Sequence, residues 1–139
     1  MGRQASLGVE SFLGTCTVLI VDDDDELRFL YSSVLKTMGI GRVLEACNGE
    51  EGLEMLREHP EIDLVILDKD MPIMDGPKLF RKAKEQPEVT AKFLLITGAY
   101  SSPEVAKLLT EGLHAATSKP VEVKVLTDMV TGLLSGSRC

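Results

Sequence analysis

Four short apolar runs each end in a polar group, and these groups hold the chemistry that this sequence can perform. In chain order they are the acidic pair Asp22-Asp23 after residues 17–21, Asp68 after residues 64–67, Thr97 after residues 93–96, and Lys119 after residues 115–118. If the runs are parallel neighbours in one sheet, all the polar groups lie at the same sheet edge. Three carboxylates, a hydroxyl and an ammonium would then converge. Such a set suits a divalent cation and an incoming phosphoryl group.

The run of five acids from Asp22 to Glu26 divides into two roles. Acids at a helix N-terminus cap free N–H groups and complement the helix dipole, and we assign residues 24–26 to that role. Asp22 and Asp23 belong to the strand end instead. Crowded carboxylates raise one another's pKa unless a cation is present, and hard oxygen ligands suit Mg²⁺. The pair therefore predicts a magnesium site.

Asp68 directly follows four branched apolar residues and precedes a loop that contains Pro72 and Asp75-Gly76. Turn chemistry explains the proline and the Asp-Gly pair, but it leaves unexplained a carboxylate at the end of the most apolar strand. A carboxylate beside a bound cation can act as a nucleophile toward phosphorus. Taken alone, Thr97 and Lys119 are weak evidence for a functional site. Their significance is that all four strand ends carry the groups that a metal-assisted phosphoryl transfer needs.

Short apolar runs alternate with segments of helical periodicity, which is typical of βαβ units around a parallel sheet. The predicted strands lie near residues 17–21, 42–46, 64–67, 92–96 and 115–118. The run at 42–46 is of mixed polarity, so we expect it near a sheet edge. The predicted helices occupy the intervening segments, the last one from about Val123 to Leu134, with an apolar set wider than one buried stripe requires. These patterns predict an α/β fold.

The bulk composition limits the class of protein. A chain of 139 residues that is 44% hydrophobic has material for one domain with a proper core. A net charge of −7 argues against nucleic acid as a direct partner. Three widely spaced cysteines indicate neither a disulfide framework nor a zinc site, and no apolar run approaches the ~20 residues that span a bilayer. We expect a cytoplasmic protein with a disordered leader (1–14), one domain (15–134) and a tail (135–139).

The sequence resembles the response-regulator receiver domains of two-component signalling, from residue 17 to about residue 134. The matching stretches are residues 18–28 (VLIVDDDDELR), 63–76 (DLVILDKDMPIMDG), 95–98 (LITG) and 118–120 (SKP). The resemblance implies a flavodoxin-like doubly wound fold, with a five-stranded parallel sheet in order 2-1-3-4-5 and helices on both faces. It implies a phospho-accepting module that turns over no separate substrate.

The resemblance also implies a role for each site residue. Asp68 would accept the phosphoryl group, Thr97 would bond a phosphoryl oxygen, and Lys119 would pair with it. Asp22 and Asp23 would hold Mg²⁺ with Asp68 and the backbone carbonyl of Asp70. The implied partners are a histidine kinase or histidine phosphotransfer protein, and a downstream protein or second copy that binds the face formed by helix four, strand five and helix five.

The sequence departs from the family pattern at three positions. Receivers usually carry Tyr or Phe three residues before the lysine, where this chain has Ala116, and often an aromatic residue after Lys-Pro, where it has Val121. The residue two after the threonine, which helps to position hydrolytic water in the family, is Ala99. Phosphoryl chemistry is left intact, but the usual readout of phosphorylation is absent and we expect slow hydrolysis.

Two other functions compete with this interpretation. The Asp68-Lys-Asp70 stretch also fits the nucleophile motif of haloacid-dehalogenase-type phosphatases, but that family needs an acidic pair after the lysine, and only Glu122 and Asp128 follow Lys119. A receiver-like binding module without phosphorylation is the second alternative. No GxxxxGK[ST] phosphate loop is present, which argues against nucleotide hydrolases.

Overall fold

The computed structural model describes residues 12–136, which form five strands and five helices in strict alternation. The strands are β1 (Thr17–Val21), β2 (Arg42–Ala46), β3 (Leu64–Asp68), β4 (Lys92–Thr97) and β5 (Ala115–Ser118). The helices are α1 (Asp25–Met38), α2 (Gly49–Glu58), α3 (Gly76–Lys84), α4 (Pro103–Thr110) and α5 (Val123–Gly136). Each predicted strand is present within a residue or two of its expected bounds.

All five strands are parallel and form one sheet in the order β2-β1-β3-β4-β5. This order confirms the predicted doubly wound α/β fold. Strand β1 lies next to β3, while β2 and β5 are the two edges. The strand order therefore reverses beside β1 and β3, and sites in open α/β sheets form outside the carboxyl ends of the strands at such a point.

The central strands are buried on both faces because helices cover the sheet on each side. Leu19 and Val21 of β1 point into one core with apolar side chains of α2, α3 and α4. Val18 and Ile20 point into the other core with Tyr31 and side chains of α5. Alternate residues of one strand thus pack into the cores on opposite faces of the sheet, which is why β1 and β3 are continuous apolar runs.

The edge strands differ from the central ones in polarity and burial. In β2, Arg42 and Glu45 are exposed and only Ala46 is fully buried, as expected for the mixed run at 42–46. In β5 no residue is fully buried, and Ser118 is exposed. The functional edge of the sheet is therefore anchored by rigid central strands and bordered by a short, half-exposed strand.

Helix termini follow from short-range chemistry that the sequence displays. Asp24 caps α1 by accepting hydrogen bonds from the N–H groups of Glu26 and Leu27, which confirms its expected role. Gly39 ends the helix in the left-handed conformation with φ 93°. Ser102 caps α4 by accepting from Val105, with Pro103 at the helix start.

Residues that we expected in the leader are packed on the domain. Residues 1–11 lie outside the described part of the chain, but Leu13 is 4% exposed and belongs to the core beneath α1 and α5. Its carbonyl accepts a hydrogen bond from Gly41 at 3.0 Å. The packed region thus includes residues before 15, because this apolar side chain is buried among the side chains of that core. At the other end, α5 extends to Gly136, and residues 137–139 lie outside the described part.

Candidate functional site

The predicted site residues meet at the carboxyl edge of the sheet. The parallel register pairs Val21 with Leu67, so Asp22 and Asp68 are the next residues on neighbouring strands. Thr97 pairs with Ser118 across β4 and β5, which brings Lys119 to the same level. The structure therefore brings together all five side chains that the sequence singled out.

Three carboxylates form a cluster in which one oxygen of each lies within 4.8 Å of the others: Asp22, Asp23 and Asp68. Asp22 is 2% exposed and Asp68 is 7% exposed, whereas Asp23 faces solvent. Three carboxylate oxygens at one point, open to water on one side, fit Mg²⁺, which keeps several waters and binds proteins through few carboxylates. The donor set fits this ion.

Burial sets the protonation behaviour of Asp22. Removal from water, together with the charges of Asp68 and Asp23, raises the pKa of this carboxyl from 3.8 to about 6. The hydrogen bond that its Oδ1 accepts from the N–H of Asp24, at 2.9 Å, and the charge of Lys119 act in the opposite direction. The carboxylate is thus costly to ionise unless a cation joins it.

Lys119 supplies the positive charge of the site. Its Nζ lies 2.9 Å from Oδ1 of Asp68. Partial burial would lower the pKa of this ammonium, but the hydrogen bond with Asp68 and the nearby carboxylates outweigh that effect and raise it. Its backbone N–H donates to the carbonyl of Thr97 at 3.0 Å, and the Lys119–Pro120 peptide bond is cis. The lysine is held charged and pointed at Asp68.

Thr97 ends β4 with its side chain fully buried. Its Oγ1 accepts a hydrogen bond from the N–H of Ala99 at 2.9 Å, so the hydroxyl contacts the β4–α4 loop. Beyond it, Gly98, Ala99 and Tyr100 are all exposed. A movement of Thr97 would therefore be passed to this loop.

The loop after β3 folds back closely against the end of that strand. Asp75 caps α3 by accepting from Lys78 at 2.9 Å. A Cβ on Gly76 would lie 2.3 Å from the backbone oxygen of Asp68, so only glycine fits there. The Asp-Gly pair therefore does more than form a turn: it lets the loop approach the carboxyl end of β3. The carbonyl of Asp70 as a metal ligand stays a prediction.

Sequence reasoning missed two charged side chains that support the site. Arg28 contacts the β1–α1 loop, and its Nη1 donates to the backbone carbonyl of Asp22 at 2.6 Å. Lys69 follows Asp68 directly, and its Nζ lies 3.0 Å from Oε1 of Glu104 on the first turn of α4. The helical position of Arg28, six residues after Asp22, was visible in the sequence, whereas the pairing of Lys69 with Glu104 had no local signal.

The two positions that lack aromatic residues are filled by small apolar side chains. Ala116 is half-buried and packs against the core beneath α2, α3 and α4. Val121 packs against the opposite core and, with Leu27 and Tyr31, lines a cavity of about 370 Å³ beside Lys119. Burial, together with the charges of Asp22, Asp68 and Asp24, raises the pKa of Tyr31 to about 12. Lys119 thus lies beside a largely apolar cavity surface.

Comparison with known proteins agrees with this geometry. The family model for the response regulator receiver domain matches residues 18–131. The chain is 31% identical over 134 residues to the two-component response regulator ARR22 of Arabidopsis thaliana, covering 95% of this chain and 93% of that protein. It is 34% identical over 123 residues to the sensor kinase CckA of Brucella abortus, covering 87% of this chain but only 13% of the kinase.

A solved structure extends the likeness to three dimensions. The CheX-CheY-BeF3-Mg+2 complex from Borrelia burgdorferi matches with a TM-score of 0.79 and 27% identity, covering 85% of this chain and 88% of that chain. Strand order, acidic cluster and opposing lysine together define a doubly wound phosphoryl-accepting module. This chain belongs to the response regulator receiver domain family, and it is a phospho-accepting receiver domain of two-component signalling. Domains of this family generally serve signalling rather than turnover of a separate substrate.

The phosphatase alternative is not favoured, because the whole matched region belongs to the receiver family. Within residues 12–136, no helix has the length and apolar character needed to cross a membrane.

Proposed function

We propose that Asp68 is the phosphoacceptor, and that a phosphohistidine on a histidine kinase or phosphotransfer protein is the donor. The observation that carries the proposal is the position of Lys119 Nζ, 2.9 Å from Oδ1 of Asp68, opposite a cluster of three carboxylates. When a phosphoryl group enters between the ammonium and the cluster, the ammonium offsets its negative charge on one side. On the other side the phosphoryl group faces carboxylates, so a cation is needed there to offset the repulsion.

The proposed magnesium ligands are the side chains of Asp22, Asp23 and Asp68 and the backbone carbonyl of Asp70. The three carboxylate oxygens within 4.8 Å of one another support this assignment. When bound, Mg²⁺ offsets the negative charge of the phosphoryl oxygens so that a carboxylate can approach them. The magnesium in the CheY complex of Borrelia burgdorferi is consistent with a hard cation in this family.

The side chains divide the transfer between them. A carboxylate oxygen of Asp68 forms the new P–O bond, the P–N bond to the donor histidine breaks, and the released electron pair stays on the imidazole. Lys119 leaves its ion pair with Asp68 to pair with a phosphoryl oxygen, and the Thr97 hydroxyl donates to another. The chain modifies itself in this reaction and turns over no separate substrate.

We propose that the output surface is the face formed by α4, β5 and α5. Thr97 and Lys119 both border this face, and phosphorylation would draw both toward Asp68. The ion pair between Lys69 and Glu104, at 3.0 Å, ties the loop after the acceptor to the first turn of α4. Exposed Leu109 on α4 and Val125 on α5 offer apolar area to a protein partner or a second copy.

Intact-mass measurement after incubation with acetyl phosphate and Mg²⁺ tests the acceptor. We expect the wild-type chain to gain one acid-stable, base-labile phosphoryl group and Asp68→Asn to gain none, because the amide is not a nucleophile toward phosphorus. Asp128→Asn is the matched control, since this acid lies exposed on α5.

The assignment fails if Asp68→Asn is labelled as fully as the wild type at another residue. If the wild type takes up no phosphoryl group while Mg²⁺ binds, the receiver-like binding module becomes the better account of this chain.

A further inference from the structure

The side chain of Arg28 connects three elements behind the carboxylate cluster. Its guanidinium donates to the carbonyl of Asp22 at 2.6 Å and pairs with Asp25 on the first turn of α1. Its Nε lies 3.4 Å from Glu45 Oε1 on the neighbouring strand β2. Only 16% of the side chain is exposed. A surface arginine on a helix ordinarily extends into water, whereas this one is drawn inward by three acceptors.

The position of this guanidinium relates directly to the metal-binding pair. The Asp22 carbonyl belongs to the peptide unit that joins Asp22 to Asp23, so fixing it fixes the plane from which the Asp23 side chain projects. The Asp22 side chain is held from its other end by the N–H of Asp24, at 2.9 Å. The loop that presents both carboxylates is therefore restrained at its backbone by Arg28 and at its side chain by Asp24.

We propose that Arg28 is a positioning residue that holds the β1–α1 loop in the geometry in which Asp22 and Asp23 bind a divalent cation. The inference rests on the proposed magnesium site and adds to it a group that does not touch the metal. A planar guanidinium suits this role, because it can direct separate N–H groups at the carbonyl, at Asp25 and at Glu45. A lysine offers one compact ammonium and cannot span them.

The sign of the effect on metal binding separates this role from simple charge. Arg28 is a cation near the site and repels Mg²⁺, so its removal on electrostatic grounds alone should tighten Mg²⁺ binding. Loss of a positioning group should instead weaken Mg²⁺ binding, because part of the binding free energy is then spent on ordering the β1–α1 loop. Outer-sphere partners of this kind typically contribute 10–100-fold in metal affinity.

Calorimetric titration of the unphosphorylated full chain with MgCl₂, at constant pH and ionic strength, tests the proposal. We expect Arg28→Gln to weaken Mg²⁺ binding by about tenfold. Arg42→Gln is the matched control, because Arg42 is exposed and pairs with Glu61 away from the site at 3.3 Å. That variant should bind Mg²⁺ like the wild type.

A second variant and a measurement on the metal-free protein distinguish loss of positioning from a folding defect. Arg28→Lys keeps the charge, and we expect it to bind Mg²⁺ several-fold more weakly than the wild type. In the metal-free protein, the amide of Asp24 should exchange with solvent faster in both variants, because its acceptor on Asp22 is less well held. Circular dichroism confirms that each variant is folded.

The outcomes distinguish this inference from the proposed function. If the wild type binds Mg²⁺ and a folded Arg28→Gln chain binds it equally well or more tightly, the positioning role is overturned and the magnesium site stands. The same holds if thermal stability falls without a change in Mg²⁺ affinity, since Arg28 would then only support α1. If the wild type binds no Mg²⁺, both proposals are overturned.

Discussion

The site has two halves that are built very differently. The acidic half consists of Asp22, Asp23 and Asp68 at the ends of the central strands β1 and β3, whose residues are all buried. The cationic half consists of Thr97 and Lys119, and Lys119 follows the short edge strand β5, in which no residue is fully buried. One half stands on the buried centre of the sheet, whereas the other joins a buried threonine at the end of β4 to a lysine beside the edge.

Hydrogen bonding reinforces the difference. The acidic half is restrained by Arg28 on the Asp22 carbonyl, by the Asp24 N–H on the Asp22 carboxylate, and by Gly76 packed under Asp68. In the cationic half, the Ala99 N–H of the exposed β4–α4 loop donates to Thr97 Oγ1, and the Lys119 N–H donates to the Thr97 carbonyl. A group that must bind a metal gains from preorganisation, while a group that must report phosphorylation needs freedom to move.

The largest expected effect comes from Asp22→Asn in the acidic half. Loss of an outer-sphere partner typically weakens metal binding by about 10–100-fold. Asp22 is a proposed direct ligand, so we expect its loss to weaken Mg²⁺ binding by about 100-fold, at the upper end of that range. The same change should stabilise the metal-free chain. The pKa of Asp22 is about 6 instead of 3.8, so keeping this carboxyl ionised in the folded, metal-free chain costs on the order of 3 kcal/mol at neutral pH.

Calorimetry and thermal unfolding in EDTA measure these two effects. A metal-free Asp22→Asn chain less stable than the wild type would contradict the account of Asp22 as a carboxylate ionised against its burial.

The acidic half should also respond to pH. Because the folded-state pKa of Asp22 is raised to about 6, the metal-free chain should gain stability as pH falls from above 6 toward 4. Protons then compete with the cation, and Mg²⁺ affinity should fall about tenfold per pH unit below about 6. Titrations with MgCl₂ between pH 5 and pH 8 check this, with Asp22→Asn as the control that should lose the dependence. A flat profile in the wild type would refute it.

In the cationic half, Lys119→Ala should leave Mg²⁺ binding intact or slightly tighter, because the ammonium pairs with the phosphoryl group rather than the metal. It should remove the coupling between phosphorylation and the output face, which we expect to be on the order of 1–3 kcal/mol. The measurement is the set of backbone NMR shifts caused by beryllofluoride across residues 98–134.

Lys124→Ala, an exposed lysine on α5, is the control for lost charge. Equal shifts in Lys119→Ala and the wild type would show that the lysine is not the coupling group. Wild-type shifts confined to the acidic half would show that the proposed route through α4, β5 and α5 is wrong.

The smallest expected effect concerns hydrolysis of the phosphorylated chain. Ala99 is exposed and its side chain has no hydrogen-bonding group, so it cannot help to orient the attacking water. Ala99→Asn or Ala99→Glu should accelerate loss of phosphate by a few-fold, on the order of one hydrogen bond. Time courses of the intact mass measure the rate, with Ala106→Asn on α4 as a distant control. Slower or unchanged loss in both Ala99 variants would remove water positioning as the cause of slow hydrolysis.

The absence of an aromatic residue at position 116 further limits how the cationic half can respond to phosphorylation. A half-buried alanine cannot rotate between an inward and an outward position as a bulky ring does. We therefore expect the cationic half to act through backbone movement of the β4–α4 loop, and the Lys69–Glu104 ion pair gives the β3–α3 loop a second connection to α4. The proposed output surface would then be reached from both sides of Asp68.

The sequence alone determined the order of the elements, the parallel sheet and the identity of the chemical groups at its edge. Strand periodicity, Asp24 before a helix, Gly39 after it, and polar residues at the strand ends are all local signals, and the structure places each as expected. They are readable because capping and periodic burial involve neighbours within a few residues.

Only the tertiary structure decided which long-range contacts support those groups. Three such contacts join segments with no shared local pattern: the hydrogen bond from Gly41 N–H to the Leu13 carbonyl, the approach of Gly76 to the Asp68 carbonyl, and the pairing of Lys69 with Glu104. Arg28 is the intermediate case: its place on α1 was evident, but whether its guanidinium turned toward water or toward Asp22 depended on where β2 placed Glu45. Such contacts depend on how the helices and strands pack, and packing is a property of the whole fold rather than of a sequence window.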